Sequence, residues 1–105
     1  MATEESRSDT LQGSERLLSV RRALAVLEAL AARPAGATPK ELSAALGQHL
    51  STSYRLLHTL VAAGYVVRGE DGLYRLGARI AYLHHGYLAA LHPPPPSPVS
   101  GLGQR

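Results

Sequence analysis

The sequence predicts a mainly α domain that carries one small β-hairpin, and three observations predict it. Between Ser19 and Gly64 apolar residues recur at steps of three and four in three separate segments, the period of a helix with one buried side. Immediately afterwards two short β-rich runs flank Gly69-Glu70-Asp71-Gly72, the pattern of a hairpin with a four-residue loop. The third apolar segment, finally, has an outer face that is polar and nearly free of acids.

Met1 to Ser14 holds Ser, Thr, Glu and Gly without apolar periodicity, so 1–16 is expected as a disordered lead-in. From there Val20, Ala23, Leu24, Leu27, Leu30 and Ala31 form the stripe of a core-facing first helix. Ser19 suits its N-cap, and Pro34 with Gly36 ends it shortly after Ala32. The second helix has a sharper start. Thr38-Pro39-Lys40-Glu41 combines a capping hydroxyl, Pro at the first helical position and Glu three residues after the cap. Leu42, Ala45 and Leu46 are its inward face, and Gly47 is suited to the left-handed residue that stops it.

The turn Gln48-His49-Leu50 leads into the third helix, with Leu50, Ser53, Leu57, Leu60 and Val61 on the buried side, flanked by Tyr54 and Leu56. At about 100° per residue the opposite side collects Ser51, Thr52, Arg55, His58, Thr59 and Ala62. Short hydroxyls that can approach phosphates, beside an Arg and a His that can reach base edges, suit the major groove of DNA. Gly64 closes the helix, Tyr65 to Arg68 and Leu73 to Leu76 are the two strands, and a fourth helix runs on from Gly77. The apolar side of that helix, Ile80, Leu83, Tyr87 and Leu91, is too large for so small a domain and calls for a partner. Beyond His92 a Pro-rich run predicts an extended, unstructured tail over 93–105.

A chain of 105 residues has room for one domain with a small core, built without Phe or Trp. Its formal charge is +3, unevenly spread: nine Lys or Arg face five acids between Glu15 and Arg79. That modest surplus agrees with a nucleic-acid partner. Cysteine is absent, which excludes disulfides, thiolate metal sites and cysteine nucleophiles. The N-terminal residues form no signal peptide and no stretch reaches the roughly 20 apolar residues of a membrane span, so a cytoplasmic location is the default.

Three helices followed by a hairpin is the order of a winged helix-turn-helix. Residues 17–77 resemble the N-terminal domain of IclR-type bacterial transcriptional regulators, and 78–92 the linker helix that follows it. The resemblance rests on Ser19 to Leu24, Glu41-Leu42, Ser51-Thr52, Tyr54 to Leu57, Thr59-Leu60, Gly64 to Val66, Tyr74 to Gly77 and Arg79. It implies a domain that binds operator DNA as a dimer, with the linker helix contributing to dimerisation and leading to a larger C-terminal effector domain. The small-molecule site would lie in that domain, which these residues do not include; the chain reads as a fragment or a truncated member. Two departures stand out: Gln48-His49-Leu50 differs from the usual turn, and Ser53 replaces a usual apolar residue, which should loosen the contact with helix two.

Docked as the resemblance implies, Ser51 and Thr52 contact phosphates near the helix N-terminus, the alternative being that Ser51 only caps the helix. Arg55 contacts a base or a phosphate, the alternative being a surface ion pair, and His58 contacts the DNA or sits beyond the groove. Tyr54 reaches a phosphate or packs on the hairpin. Arg68 and Arg75 hold the flanking backbone, although Glu70 and Asp71 at the tip oppose deep insertion of the wing. Lys40 and Arg22 are outer phosphate contacts or solvated surface. Ile80, Leu83, Tyr87 and Leu91 are the dimer contacts. No cofactor is expected, and His84, His85 and His92 do not make a metal site, since neighbouring His side chains diverge on a helix with no carboxylate nearby. Hydroxyls and histidines lack an acid beside them and no glycine-rich phosphate loop is present, so no enzymatic activity is expected. The alternative function is an adaptor that pairs with a full-length regulator through the linker helix.

Overall fold

The computed structural model describes the backbone of residues 3–93 and Pro95, and side chains from Leu17 onward. Its elements are α1 (Thr3–Ala31), α2 (Pro39–Leu46), α3 (Leu50–Ala62), β1 (Val66–Arg68), β2 (Tyr74–Leu76) and α4 (Arg79–Leu91). This is the winged helix-turn-helix arrangement, mainly helical with one antiparallel hairpin.

Helix α1 differs most from expectation. It begins at Thr3, so the stretch expected as a disordered lead-in takes helical backbone, and Ser19 lies inside the helix rather than capping it. Elongating an existing helix adds a hydrogen bond per residue fixed and needs no new nucleus, so a segment without its own apolar stripe continues the helix it precedes. The buried side is also rotated. Val26 and Leu30 are fully enclosed, with Ala23, Leu27 and Ala29 packed against them, whereas Val20, Leu24 and Ala31 are exposed. Between Ala23 and Ala32 the helix is apolar on nearly every side, so spacing alone does not choose between overlapping stripes.

The remaining core residues are Ala37, Leu42, Leu57, Leu60 and Val66. Helix α2 starts as its sequence prescribes: the Glu41 amide donates to the Thr38 hydroxyl at 3.0 Å and the Thr38 amide donates to the Glu41 carboxylate at 2.9 Å. Gly47, with φ at 64°, ends it in the left-handed region. Ala45, expected inward, is exposed, because an eight-residue helix offers its neighbours only one narrow face, filled here by Leu42 and Leu46.

On α3 the fully buried positions are Ser53 and Leu57, with Leu60 nearly so. Leu50 and Val61, expected inside, are exposed at the two ends of that stripe. Ser53 is accommodated without a lost bond: its hydroxyl donates to the Gln48 side-chain carbonyl at 3.2 Å. The Ser43 hydroxyl donates to the Gln48 main-chain carbonyl, and the Gln48 amide donates back to the Ser43 carbonyl at 3.1 Å. The unusual turn and the unusual buried serine thus satisfy one another, and the α2–α3 contact is tied rather than loosened.

In the hairpin Val66 pairs with Leu76, Val67 with Arg75 and Arg68 with Tyr74. Ala37, in the loop before α2, exchanges two backbone hydrogen bonds with Tyr74 and so forms an isolated antiparallel bridge to β2. That bridge fastens the wing to the helical core. Gly77 then passes so close to the chain before β1 that a Cβ there would lie 2.6 Å from the Gly64 carbonyl oxygen, and α4 leaves from this junction. Helix α4 buries none of its residues. The tail expected over 93–105 falls, apart from Pro93 and Pro95, outside the described residues.

Candidate nucleic-acid interface

The outer face of α3 is built by the same packing that buries its inner one. With Ser53, Leu57 and Leu60 turned into the core, Ser51, Arg55 and His58 stand exposed on the far side, and Thr52 is half-buried beside them. The N-cap of α3 is His49, which makes no side-chain bond to the helix end, so the capping role considered for Ser51 is not the one it has. Thr59 is spent locally, its hydroxyl donating to the Arg55 carbonyl at 3.1 Å.

Tyr54, His58 and Val61 of α3 face Arg68 and Tyr74 of the hairpin across an open cleft of about 230 Å³. This brings Tyr54, His58 and Arg68 into one site, and no acid lines it. Arg55 lies on the adjoining strip of α3, and among the described residues it has no ion-pair partner. Val61 and Tyr74 are additions to the sequence-based set: Val61 read as core, and the position of Tyr74 depends on strand register.

Arg75 lies elsewhere. It lines a different groove with Leu30, Ala31, Pro34 and Leu76, on the side where β2 meets the end of α1. Its guanidinium donates two hydrogen bonds to the Asp71 carboxylate, at 3.3 and 2.8 Å. The guanidinium, with the Leu73 amide, holds the Asp71 carboxyl down at about 2, and Asp71 in turn raises Arg75. Of the two acids that the sequence sets against the DNA backbone, Asp71 is therefore already paired inside the wing with one of its two arginines, whereas Glu70 stays exposed and, among the described residues, without an ion pair. Lys40 is exposed in the first turn of α2, apart from the cleft-lining residues.

Apart from the cleft-lining residues, Ile80 is half-buried and Leu83, Tyr87 and Leu91 are exposed along α4. Leu83 shares a groove of about 300 Å³ with Val20, Ala23, Leu24 and Leu27 of α1, almost wholly apolar. Val20 and Leu24, each more than half exposed, thus belong to the same surface as α4. No described helix is long and apolar enough to cross a membrane.

The comparisons with known proteins agree with this geometry. Residues 19–70 match the IclR helix-turn-helix domain family. Among solved structures, the chain is similar to an IclR family transcriptional regulator from Brucella abortus, with 31% identity, a TM-score of 0.64, and coverage of 70% of this chain and 28% of that one. It is similar also to Pseudomonas aeruginosa HmgR, with 25% identity, a TM-score of 0.64, and coverage of 69% and 31%. The Agobacterium tumefaciens repressor BlcR gives 28% identity, a TM-score of 0.62, and coverage of 68% and 29%. The chain thus spans about three-tenths of the length of these structures. Among curated proteins none matches it in sequence. With residues 19–70 matching that domain and its fold shared with a regulator of the family, the chain belongs to the IclR family through its helix-turn-helix domain, a DNA-binding domain of transcription regulators.

Proposed function

We propose that this chain binds double-stranded DNA sequence-specifically, with α3 in the major groove and the hairpin along the flanking backbone. The observation that carries the reading is the acid-free surface formed by the outer face of α3 and the cleft where Tyr54 and His58 meet Arg68. Ser51 and Thr52 contact phosphates at the leading end of the helix, Arg55 reads a base edge, and Tyr54, His58 and Arg68 hold the strand that passes between helix and wing. Lys40 is an outer phosphate contact. Arg75, tied to Asp71, serves the backbone contact indirectly by shaping the wing.

The chain acts as a homodimer through the apolar surface of α1 and α4, with Ile80, Leu83, Tyr87 and Leu91 at the contact, so the operator is a near-palindrome of two half-sites. An effector would act through a further domain of the kind the family's longer members have. Selection of duplexes from a random pool tests the reading: a recovered palindromic motif, bound with a steep salt dependence, supports it, and binding without sequence preference overturns it.

The exposed face of α4 favours a second reading, an adaptor that pairs with another regulator through that helix. Light scattering with and without DNA separates the two, because an adaptor associates with protein while showing little salt-dependent affinity for DNA.

A further inference from the structure

Apart from the cleft beside the wing, the helix-turn-helix carries a second groove, of about 290 Å³, between α1 and the turn that leads into α3. Its walls are Leu18, Arg21, Arg22 and Ala25 of α1, Leu46 at the end of α2, and Gly47 and Gln48 of the turn. No acid lines it, and among the described residues neither arginine is in an ion pair.

Gln48 sharpens its chemistry. The main-chain carbonyl of Gln48 accepts from Ser43, its main-chain amide donates to Ser43, and its side-chain carbonyl accepts from the fully buried Ser53. What remains of Gln48 is the side-chain NH2, which only donates. Two guanidinium groups and an amide NH2 are donors without a single competing acceptor side chain, a set that suits the anionic oxygens of a phosphodiester.

We propose that Arg21, Arg22 and the Gln48 side-chain amide form a phosphate clamp for the operator backbone beside the leading end of α3. The inference rests on the proposed placement of α3 in the major groove. With α3 so placed, the backbone bordering that groove passes the turn at Gly47 and Gln48, where the helix before the recognition helix meets the sugar-phosphate chain. The buried Ser53 then has a role beyond packing: by taking the Gln48 carbonyl oxygen it fixes which end of the amide is offered to the DNA.

The test uses the whole chain and a duplex that the wild type selects from a random pool. Arg21→Ala and Arg22→Ala are each expected to lower the slope of log K against log salt by about 1 and to leave base preference unchanged. Arg79→Ala, which removes the same charge from a guanidinium stacked on Tyr82 at 4.4 Å, is expected to leave the slope unchanged. Gln48→Glu keeps the acceptor for Ser53 but sets a carboxylate against the phosphate, and is expected to weaken binding at least tenfold with an unchanged melting temperature. Ethylation interference locates the contact: the phosphates at which ethylation blocks wild-type binding should cease to interfere in Arg21→Ala and Arg22→Ala. Arginine variants that behave like Arg79→Ala, or an interference pattern that they leave intact, overturn the clamp while leaving the DNA-binding reading in place. A wild-type chain with no affinity for any duplex overturns both.

Discussion

Helices α3 and α4 are each thirteen residues long, and each carries apolar residues at helical spacing, yet they end in opposite circumstances. The first buries Ser53, Leu57 and Leu60 within its own chain; the second buries nothing. Apolar periodicity therefore says that a helix has a side to be covered, not what covers it. For α3 the cover is α1 and α2, closed by the turn at Gln48. For α4 the neighbours at Leu83 are a strip of α1 with Leu60 and Tyr65, and the exposed Val20 and Leu24 of that strip extend its apolar surface. One helix should thus govern folding and the other association.

Replacing Leu57 with Ala tests this most severely. A fully enclosed leucine in a core this small should cost about 2–5 kcal/mol in denaturant unfolding. Leu83→Ala should do the reverse, changing the unfolding free energy of the dilute chain by less than about 0.5 kcal/mol. Its effect belongs in sedimentation, where self-association should weaken by about 2 kcal/mol. Equal losses of folding stability for both variants would erase the distinction between the helices.

The outer face of α3 gives a third contrast. Arg55→Ala should leave unfolding unchanged and cost about 1–3 kcal/mol of operator affinity in a binding titration, concentrated at particular bases if Arg55 reads an edge and uniform across sequences if it meets a phosphate. Smaller, and confined to α2, is the capping box. Thr38→Ala should destabilise the domain by about 1 kcal/mol, and Thr38→Ser should recover most of the loss.

The slightest effect concerns the wing. The Asp71 carboxyl, lowered from 3.8 to about 2 in the folded chain, supports the hairpin at every pH above its unfolded value and loses that support as pH falls through about 2. Chemical shifts of the Leu73 amide, whose acceptor is Asp71, should accordingly stay level above about pH 4 and move only in stronger acid. A midpoint near 3.8, the ordinary value of the carboxyl, would mean that Arg75 is not the partner that Asp71 keeps.

Local chemistry was legible wherever a short stretch of residues suffices to determine it. Thr38 to Glu41 specify a helix start because the reciprocal bonds lie within three residues, and Gly47 specifies a stop because few other residues adopt its backbone conformation. The acid-free face of α3 could be read for the same reason, since thirteen residues at a known angle per residue have a computable outer side. On α1 this reasoning failed over the buried side, where an almost uniformly apolar surface leaves the choice between Val20 and Val26 to whichever neighbours arrive. It failed also for Ser53, which looked like a weakened contact and is half of a hydrogen-bonded pair with Gln48 five positions earlier.

By itself, then, the sequence determined the order of helices and hairpin, the ends of α2, and the polar stripe of Ser51, Arg55 and His58, because each depends on dihedral preferences and periodicities that span only a few residues. Only the tertiary structure decided which side of α1 faces the core, that Arg68 joins Tyr54 and His58 while Arg75 is turned to Asp71, and that Arg21 and Arg22 stand over the turn at Gln48. Those outcomes depend on how separate elements pack, and packing is set by distances between residues far apart in the chain, which no local pattern encodes.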